Sequence, residues 1–192
     1  MEPAIVFRAG TSRVYAVATW VVAAVVLVAL AVEGGTTALL SYGALPAVLA
    51  VIGWAGFWRP LVRVEADGVR VVNVLSTTWL PWETITGTRT RWGLEITTHH
   101  GKVGAWALPS RSALGRWTRT HREEPVVSSL RRLDTVESGG SDPGVAAGII
   151  EEHKRGRLLD PANAPRPQRR LDVLAAGLLL ATAGLAIGTL LL

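Results

Sequence analysis

Three apolar stretches, each long enough to cross a lipid bilayer, constrain this 192-residue chain more than any other feature. Val14–Val32 (VYAVATWVVAAVVLVALAV) carries no charge, and about 19 helical residues cover roughly 30 Å of hydrocarbon. Its valines are poor helix formers in water, but in lipid the helix is how the backbone satisfies its own hydrogen bonds. Leu39–Trp58 (LLSYGALPAVLAVIGWAGFW) contains Pro46, which is expected to kink it, and ends in the interfacial aromatics Trp54, Phe57 and Trp58. Leu171–Leu192 (LDVLAAGLLLATAGLAIGTLLL) has Asp172 as its only charge.

Orientation follows from the arginines beside these stretches, because cationic flanks stay in the cytoplasm. Arg8 and Arg13 precede the first stretch, while Arg59, Arg63 and Arg70 follow the second; Glu33–Ala38 between them holds no cation. The first two stretches therefore read as a transmembrane hairpin (14–58, with spans 14–32 and 39–58) whose ends both lie inside. Arg166, Arg169 and Arg170 hold the start of the third span (171–192) inside and leave Leu192 outside. This is the expectation for a multi-pass protein of the plasma (inner) membrane, with residues 1–13 and the middle of the chain cytoplasmic. Ala29 and Ala31 form an A-x-A pattern that resembles a signal-peptide cleavage site, but the preceding apolar run is too long and a second span follows directly. The first stretch is expected to stay as a span.

The net charge of +5 is largely accounted for by these flanking arginines, so the basic balance does not point to nucleic acid. The chain has no cysteine, which excludes disulfides, thiolate catalysis and cysteine-based zinc sites.

Between Leu61 and Leu108 the pattern changes to period two. Leu61–Glu65 puts Val62 and Val64 on one face and Arg63 on the other; Ala66-Asp67-Gly68 signals a tight turn; Val69–Val74 follows with a slip at Val71–Val72 that predicts a bulge. Short strands are expected at Thr78–Leu80, Thr86–Arg91, Leu94–Thr98 and Val103–Ala107, with a turn at His99–Lys102. About six short strands at this spacing read as an all-β sandwich or barrel. Val126–Leu133 reads as a helix whose Val126, Leu130 and Leu133 share a face; after it, within a connecting segment 134–170, Glu137–Gly144 reads as a flexible linker and 144–159 as a helix with Val145, Ile149 and His153 on one side.

The hairpin, followed by LVRVEADGVRVVN, PWETI and ITTHHGKVGAWALP, resembles the small bacterial pleckstrin-homology (PH) domains of membrane proteins. Pro81, Trp82 and Ile85, after an Asp-Gly turn between two apolar strands, carry most of that likeness. The resemblance implies two near-orthogonal antiparallel sheets with a helix plugging one end, a position that Val126–Leu133 would take within a domain spanning 59–133. The expected fold is thus a membrane α-helical hairpin plus a C-terminal transmembrane helix, with a cytosolic all-β PH-like domain of two antiparallel sheets capped by a helix. PH-like folds are binding platforms for phosphoinositides, for proteins or for self-assembly, so the fold alone leaves the ligand open.

No catalytic constellation is visible. The serines have no adjacent base or nucleophile elbow, the carboxylates sit singly, and the spans hold no mid-membrane ionisable residue. His99–His100 occupies a turn, with His121 and His153 far away and without ligand spacing. The expectation is therefore not an enzyme, with no metal and no cofactor. Arg63, Arg70, Arg89 and Arg91 fall on neighbouring expected strands, with Arg111, Arg116 and Arg119 following, and are the candidate contacts for a ligand or anionic lipid; near a membrane surface each arginine adds ~1 kcal/mol of attraction to anionic headgroups. Trp82 is expected in the core, and Trp92, beside a turn glycine, against the bilayer or a partner. Gly177, Ala181, Gly184 and Gly188 make a small-residue stripe on the third span, suited either to packing against the chain's own hairpin or to self-association. The sequence reads best as a noncatalytic, membrane-anchored module that binds a protein partner or assembles with itself at the inner membrane face, with lipid-headgroup sensing as the alternative.

Overall fold

A computed structural model describes residues 4–109, 142–155 and 164–191. Val126–Leu133, Arg111, Arg116, Arg119 and His121 lie outside the described residues. The chain divides into two compact units: a β unit of Met1–Ala9, Pro60–Asn73 and Thr77–Arg170, and a helical unit of Gly10–Arg59, Val74–Ser76 and Leu171–Leu192.

Alternation builds the β unit. In β2 (Leu61–Glu65) and β3 (Gly68–Val72), Val62, Val64, Val69 and Val71 are buried while Arg63 and Arg70 face out. The expected bulge at Val71–Val72 is absent: the register runs unbroken from Glu65↔Gly68 to Leu61↔Val72, and the strand simply ends there. Gly68 is not a turn glycine of positive φ; among the described residues Gly35, Gly93 and Gly101 are the glycines in that region. Its need is steric, because a Cβ at Gly68 would stand 2.3 Å from the Leu80 carbonyl oxygen. β4 (Ser76–Pro81) pairs with β3, and a 3-10 turn at Trp82–Thr84 then carries the chain to a second sheet of β5 (Ile85–Arg89), β6 (Gly93–Thr98) and β7 (Gly101–Pro109).

Two strands lie where the sequence showed none. β1 (Ile5–Phe7) falls within the expected cytosolic N-terminus and pairs with β2; β8 (Gln168–Leu171) falls within the expected connecting segment and adds to β4. They complete a five-stranded antiparallel sheet, β1-β2-β3-β4-β8, facing the three-stranded β5-β6-β7. β8 lies at the end of that connecting segment, and the Pro165 carbonyl ahead of it accepts the Thr84 hydroxyl.

The helix that closes the β unit among the described residues is α3 (Pro143–Arg155), numbered after the α1 and α2 described below. Asp142-Pro143 is a helix start rather than linker: the Asp142 carboxylate accepts the Gly144 N–H at 2.8 Å, and proline needs no N–H at the first helical position. Its Ala146, Ile149 and Ile150 join the core with Phe7, Leu80, Trp82, Ile85, Leu94, Ile96 and Leu108. The expected Val145–Ile149–His153 line lies on this face, with Val145 packed against the core and His153 stacked on Trp82 with ring centroids 5.5 Å apart, and the face is widened by Ala146 and Ile150. Each fully buried aliphatic side chain contributes roughly 1.5–3 kcal/mol.

Asn73 ties the two sheets together. Its amide donates to the Gly104 carbonyl at 2.9 Å and accepts the Trp106 N–H at 2.8 Å, as a neighbouring strand would. Asn73→Ala leaves those backbone groups to water and is expected to cost about 1–2 kcal/mol; urea unfolding of the full chain in detergent checks it, Asn73→Asp being expected to fall between because it keeps the acceptor and loses the donor.

In the helical unit, α1 (Gly10–Tyr42, 33 residues) is long and apolar enough to cross a membrane. Its helical path is broken at Gly35, whose φ of 60° and ψ of −148° suit only glycine. The expected kink at Pro46 does not occur: α2 (Ala44–Ile52) starts at Ala44, so the proline sits in the first turn, where a missing N–H costs nothing. A π-helical turn, Gly53–Trp58, follows. The arms run antiparallel, with Tyr15 against Phe57 and the Trp20 indole N–H donating to the Ala50 carbonyl at 3.0 Å. α4 (Val173–Leu191) starts two residues later than the expected span, because Leu171 ends β8 and Asp172 caps the helix. It buries Ala175 and Ala186, and a Cβ added at Gly177, Gly184 or Gly188 would meet nothing within 4 Å. The small-residue stripe, Ala181 included, therefore faces away from the chain's own helices, correcting the packing half of the expectation. Among the described residues the shorter apolar helices are Ala44–Trp58 and Val173–Thr189.

Candidate functional site

Because side chains alternate along a strand, every residue expelled from the core of the five-stranded sheet joins an outer face. Arg63 on β2 stands directly across from Arg70 on β3, and Arg70 directly across from Trp79 on β4. The three form a row across the sheet. The Arg70 guanidinium lies 5.2 Å from the centre of the Trp79 ring and its Nε donates to Glu65 at 3.1 Å, so its fork is held in place. Arg63 is exposed and makes no hydrogen bond or ion pair among the described residues. Beyond Trp79 comes β8, whose Gln168, Arg169 and Arg170 are all exposed. Consecutive strand residues point to opposite faces, so one of Arg169 and Arg170 extends the row.

The sequence reading placed Arg63, Arg70, Arg89 and Arg91 on one run of neighbouring strands. The structure separates them, because the Trp82–Thr84 turn sends the chain to the other sheet. Arg89 lies on β5 across from Glu95, which pairs with Lys102 at 3.5 Å, and Arg91 follows in the β5–β6 turn, 5.5 Å from the centre of the Trp92 ring. What the sequence missed is Trp79 and the β8 arginines: the first was read only as one of several tryptophans, and the others as topology signals.

Pro81, Trp82 and Ile85 serve the fold. Pro81 ends β4, Trp82 and Ile85 are fully buried, and the Trp82 indole N–H donates to the Ala66 carbonyl at 2.8 Å. His99 and His100 sit in the β6–β7 turn, and among the described residues no group of His, Asp and Glu side chains comes together as a metal site. The arrangement offers charge, hydrogen-bond donors and an aromatic plane on an open sheet face, which suits recognition of a partner's surface.

No curated protein and no solved structure matches the chain. Residues 59–135 match the family model described as Bacterial PH domain. With two antiparallel sheets built from that stretch and its flanks, this is a bacterial PH-domain-containing protein.

Proposed function

We propose that the chain is a noncatalytic, membrane-anchored module whose PH domain binds a protein partner at the cytoplasmic face of the plasma membrane. The observation that carries this reading is the outward-facing row of exposed Arg63 and Arg70 beside the half-buried Trp79. Arginine and tryptophan are the residues that dominate binding energy at protein interfaces, and here one arginine is already fixed on the tryptophan face. Anchoring by α1, with Ala44–Trp58 and Val173–Thr189 as further spans, supplies localisation without any lipid affinity of the domain. The flanking arginines favour both ends of the first two segments inside and Leu192 outside. Self-assembly is a second reading, favoured by the open stripe of Gly177, Ala181, Gly184 and Gly188.

Photo-crosslinking from position Thr77, beside the row, in native membranes tests the proposal. In the wild-type chain the probe is expected to capture a protein, and Arg63→Glu with Arg70→Glu to abolish that capture while Arg89→Glu with Arg91→Glu leaves it intact. A hot-spot loss of about 2 kcal/mol is on the order of 30-fold in affinity. Capture of lipid alone would favour the headgroup-sensing alternative, capture of a second copy would favour self-assembly, and capture indifferent to Arg63 and Arg70 would sink the row as the binding surface.

A further inference from the structure

β8 is the end strand of the five-stranded sheet: β4 lies on one side of it and, among the described residues, no strand on the other. Its direction is set at both ends. The Asp172 N–H, just past β8, donates to the Leu75 carbonyl, just before β4, at 2.9 Å, and the Thr84 hydroxyl, past β4, donates to the Pro165 carbonyl, before β8. The two strands therefore run antiparallel. Successive residues of a strand turn their backbone groups to opposite sides, so the Asp172 bond aims the Arg170 N–H and carbonyl at β4 and leaves those of Arg169 on the open side. The same register puts Arg170 across from Thr77, on the face of Trp79.

An open edge offers unpaired N–H and carbonyl groups to another strand, and proteins commonly guard it with charge. Here the guard has one sign. Gln168, Arg169 and Arg170 are exposed, as is Arg166 ahead of them, and among the described residues these three arginines make no ion pair and no side-chain hydrogen bond. The nearest acids do not offset Arg169 and Arg170. Glu65 holds Arg70, and Asp172 is paired with Arg59. Asp67 and Glu83, both exposed, stand at the other end of the strand, by the turn from which Thr84 reaches Pro165. A second copy makes a poor guest, because pairing β8 with itself antiparallel along its length sets Arg169 across from Arg170, and like charges directly opposite are destabilising. An acidic strand meets the opposite case.

We propose that β8 is a strand-addition site for an extended acidic segment of a protein partner. The segment bonds to the Arg169 N–H and carbonyl and sets carboxylates beside Arg170. Main-chain bonds supply the attachment and the arginines the selection. This rests on the reading that the domain binds a protein, and gives that partner a chemistry.

The probe is a fluorescein-labelled peptide alternating threonine and glutamate, titrated by anisotropy against the full-length chain in phosphatidylcholine nanodiscs. Saturable binding is expected, and none of the counterpart with lysine in place of glutamate. Methylating every backbone nitrogen of the peptide keeps the carboxylates and removes the donors, and is expected to weaken binding about tenfold. Arg169→Gln with Arg170→Gln, which leaves Arg166 to hold the topology, should weaken the unmethylated peptide by a similar factor, whereas Arg89→Gln with Arg91→Gln should not. In the unsubstituted chain, bound peptide should also slow hydrogen exchange across residues 166–171. No binding, equal binding of the lysine or the methylated peptide, or indifference to Arg169 and Arg170 overturns the proposal. The Arg63–Arg70–Trp79 row is judged separately by capture from Thr77, so an acidic strand that fails while that capture persists sinks the β8 site alone.

Discussion

Trp82→Ala is expected to destabilise the β unit by about 3–5 kcal/mol, the usual cost of emptying a buried aromatic site. The indole is fully buried among residues of both sheets and of α3, so no single element can collapse into the void. Two specific contacts disappear as well: the N–H bond to the Ala66 carbonyl, which fixes the β2–β3 turn, and the stack on His153 of α3. Trp82→Phe separates the contributions. It keeps most of the ring and the stack but leaves the Ala66 carbonyl without its indole donor, for an expected loss of about 1–3 kcal/mol. Hydrogen exchange of the β2–β7 amides in the full-length chain reads both effects. A loss below about 1 kcal/mol for Trp82→Ala would mean that this residue is not the centre of the core.

The strands that alternate cleanly were legible for a physical reason: each has one face in the core and one in water. Leu94-Glu95-Ile96-Thr97-Thr98 gives buried Leu94, Ile96 and Thr98, as its pattern says. β1 and β8 were not legible because edge strands need no such pattern. Three residues, Ile5-Val6-Phe7, are too few to show a period, and Gln168-Arg169-Arg170-Leu171 is exposed throughout. Their strand state comes from a neighbour's unpaired backbone. α3 was half legible: its apolar residues were seen, but Asp142-Pro143 was absorbed into a glycine-rich linker instead of being read as a capped start. Pro46 shows the converse, since a proline kinks a helix only beyond its first turn, and where the turn falls depends on Gly43.

The candidate site divides along the same line. Arg63 and Arg70 were placed together because adjacent strands of one hairpin carry their own register. Grouping Arg89 and Arg91 with them failed because the turn at Trp82–Thr84 changes sheets, and that depends on where the indole finds room. The Trp79 pairing needed the β3–β4 register, and the β8 arginines needed contact with a segment about ninety residues away in sequence. Asn73 was invisible for a related reason: its partners on β7 are set by the approach of the two sheets.

Arg59→Ala carries the other large effect, and it falls in the helical unit. Sequence reading used Arg59 as a topology signal; the structure makes it the centre of a joint. Its guanidinium donates to the Val74 carbonyl at 2.8 Å and forms an ion pair with Asp172, the two side chains being 12% and 28% exposed. Asp172 in turn accepts the Ala175 N–H at 2.9 Å through its other carboxylate oxygen, capping α4, and donates its own N–H to the Leu75 carbonyl. Removing the arginine strands both the carboxylate and the carbonyl. Breaking a fully buried pair costs ~3–5 kcal/mol, and the partial exposure of Asp172 brings the expectation to roughly 2–3 kcal/mol. Asp172→Ala removes the cap along with the pair and should cost about 1 kcal/mol more. Because the two residues act through one contact, the double variant is expected to lose clearly less than the sum of the singles. Arg59→Lys keeps the charge but not the fork that reaches Val74 and Asp172 together, and should fall between wild type and Arg59→Ala. Thermal unfolding of the full-length chain in nanodiscs measures all four variants. Strict additivity in the cycle would show that Arg59 and Asp172 stabilise the helical unit separately, and that no joint exists between the π-helical turn and the start of α4.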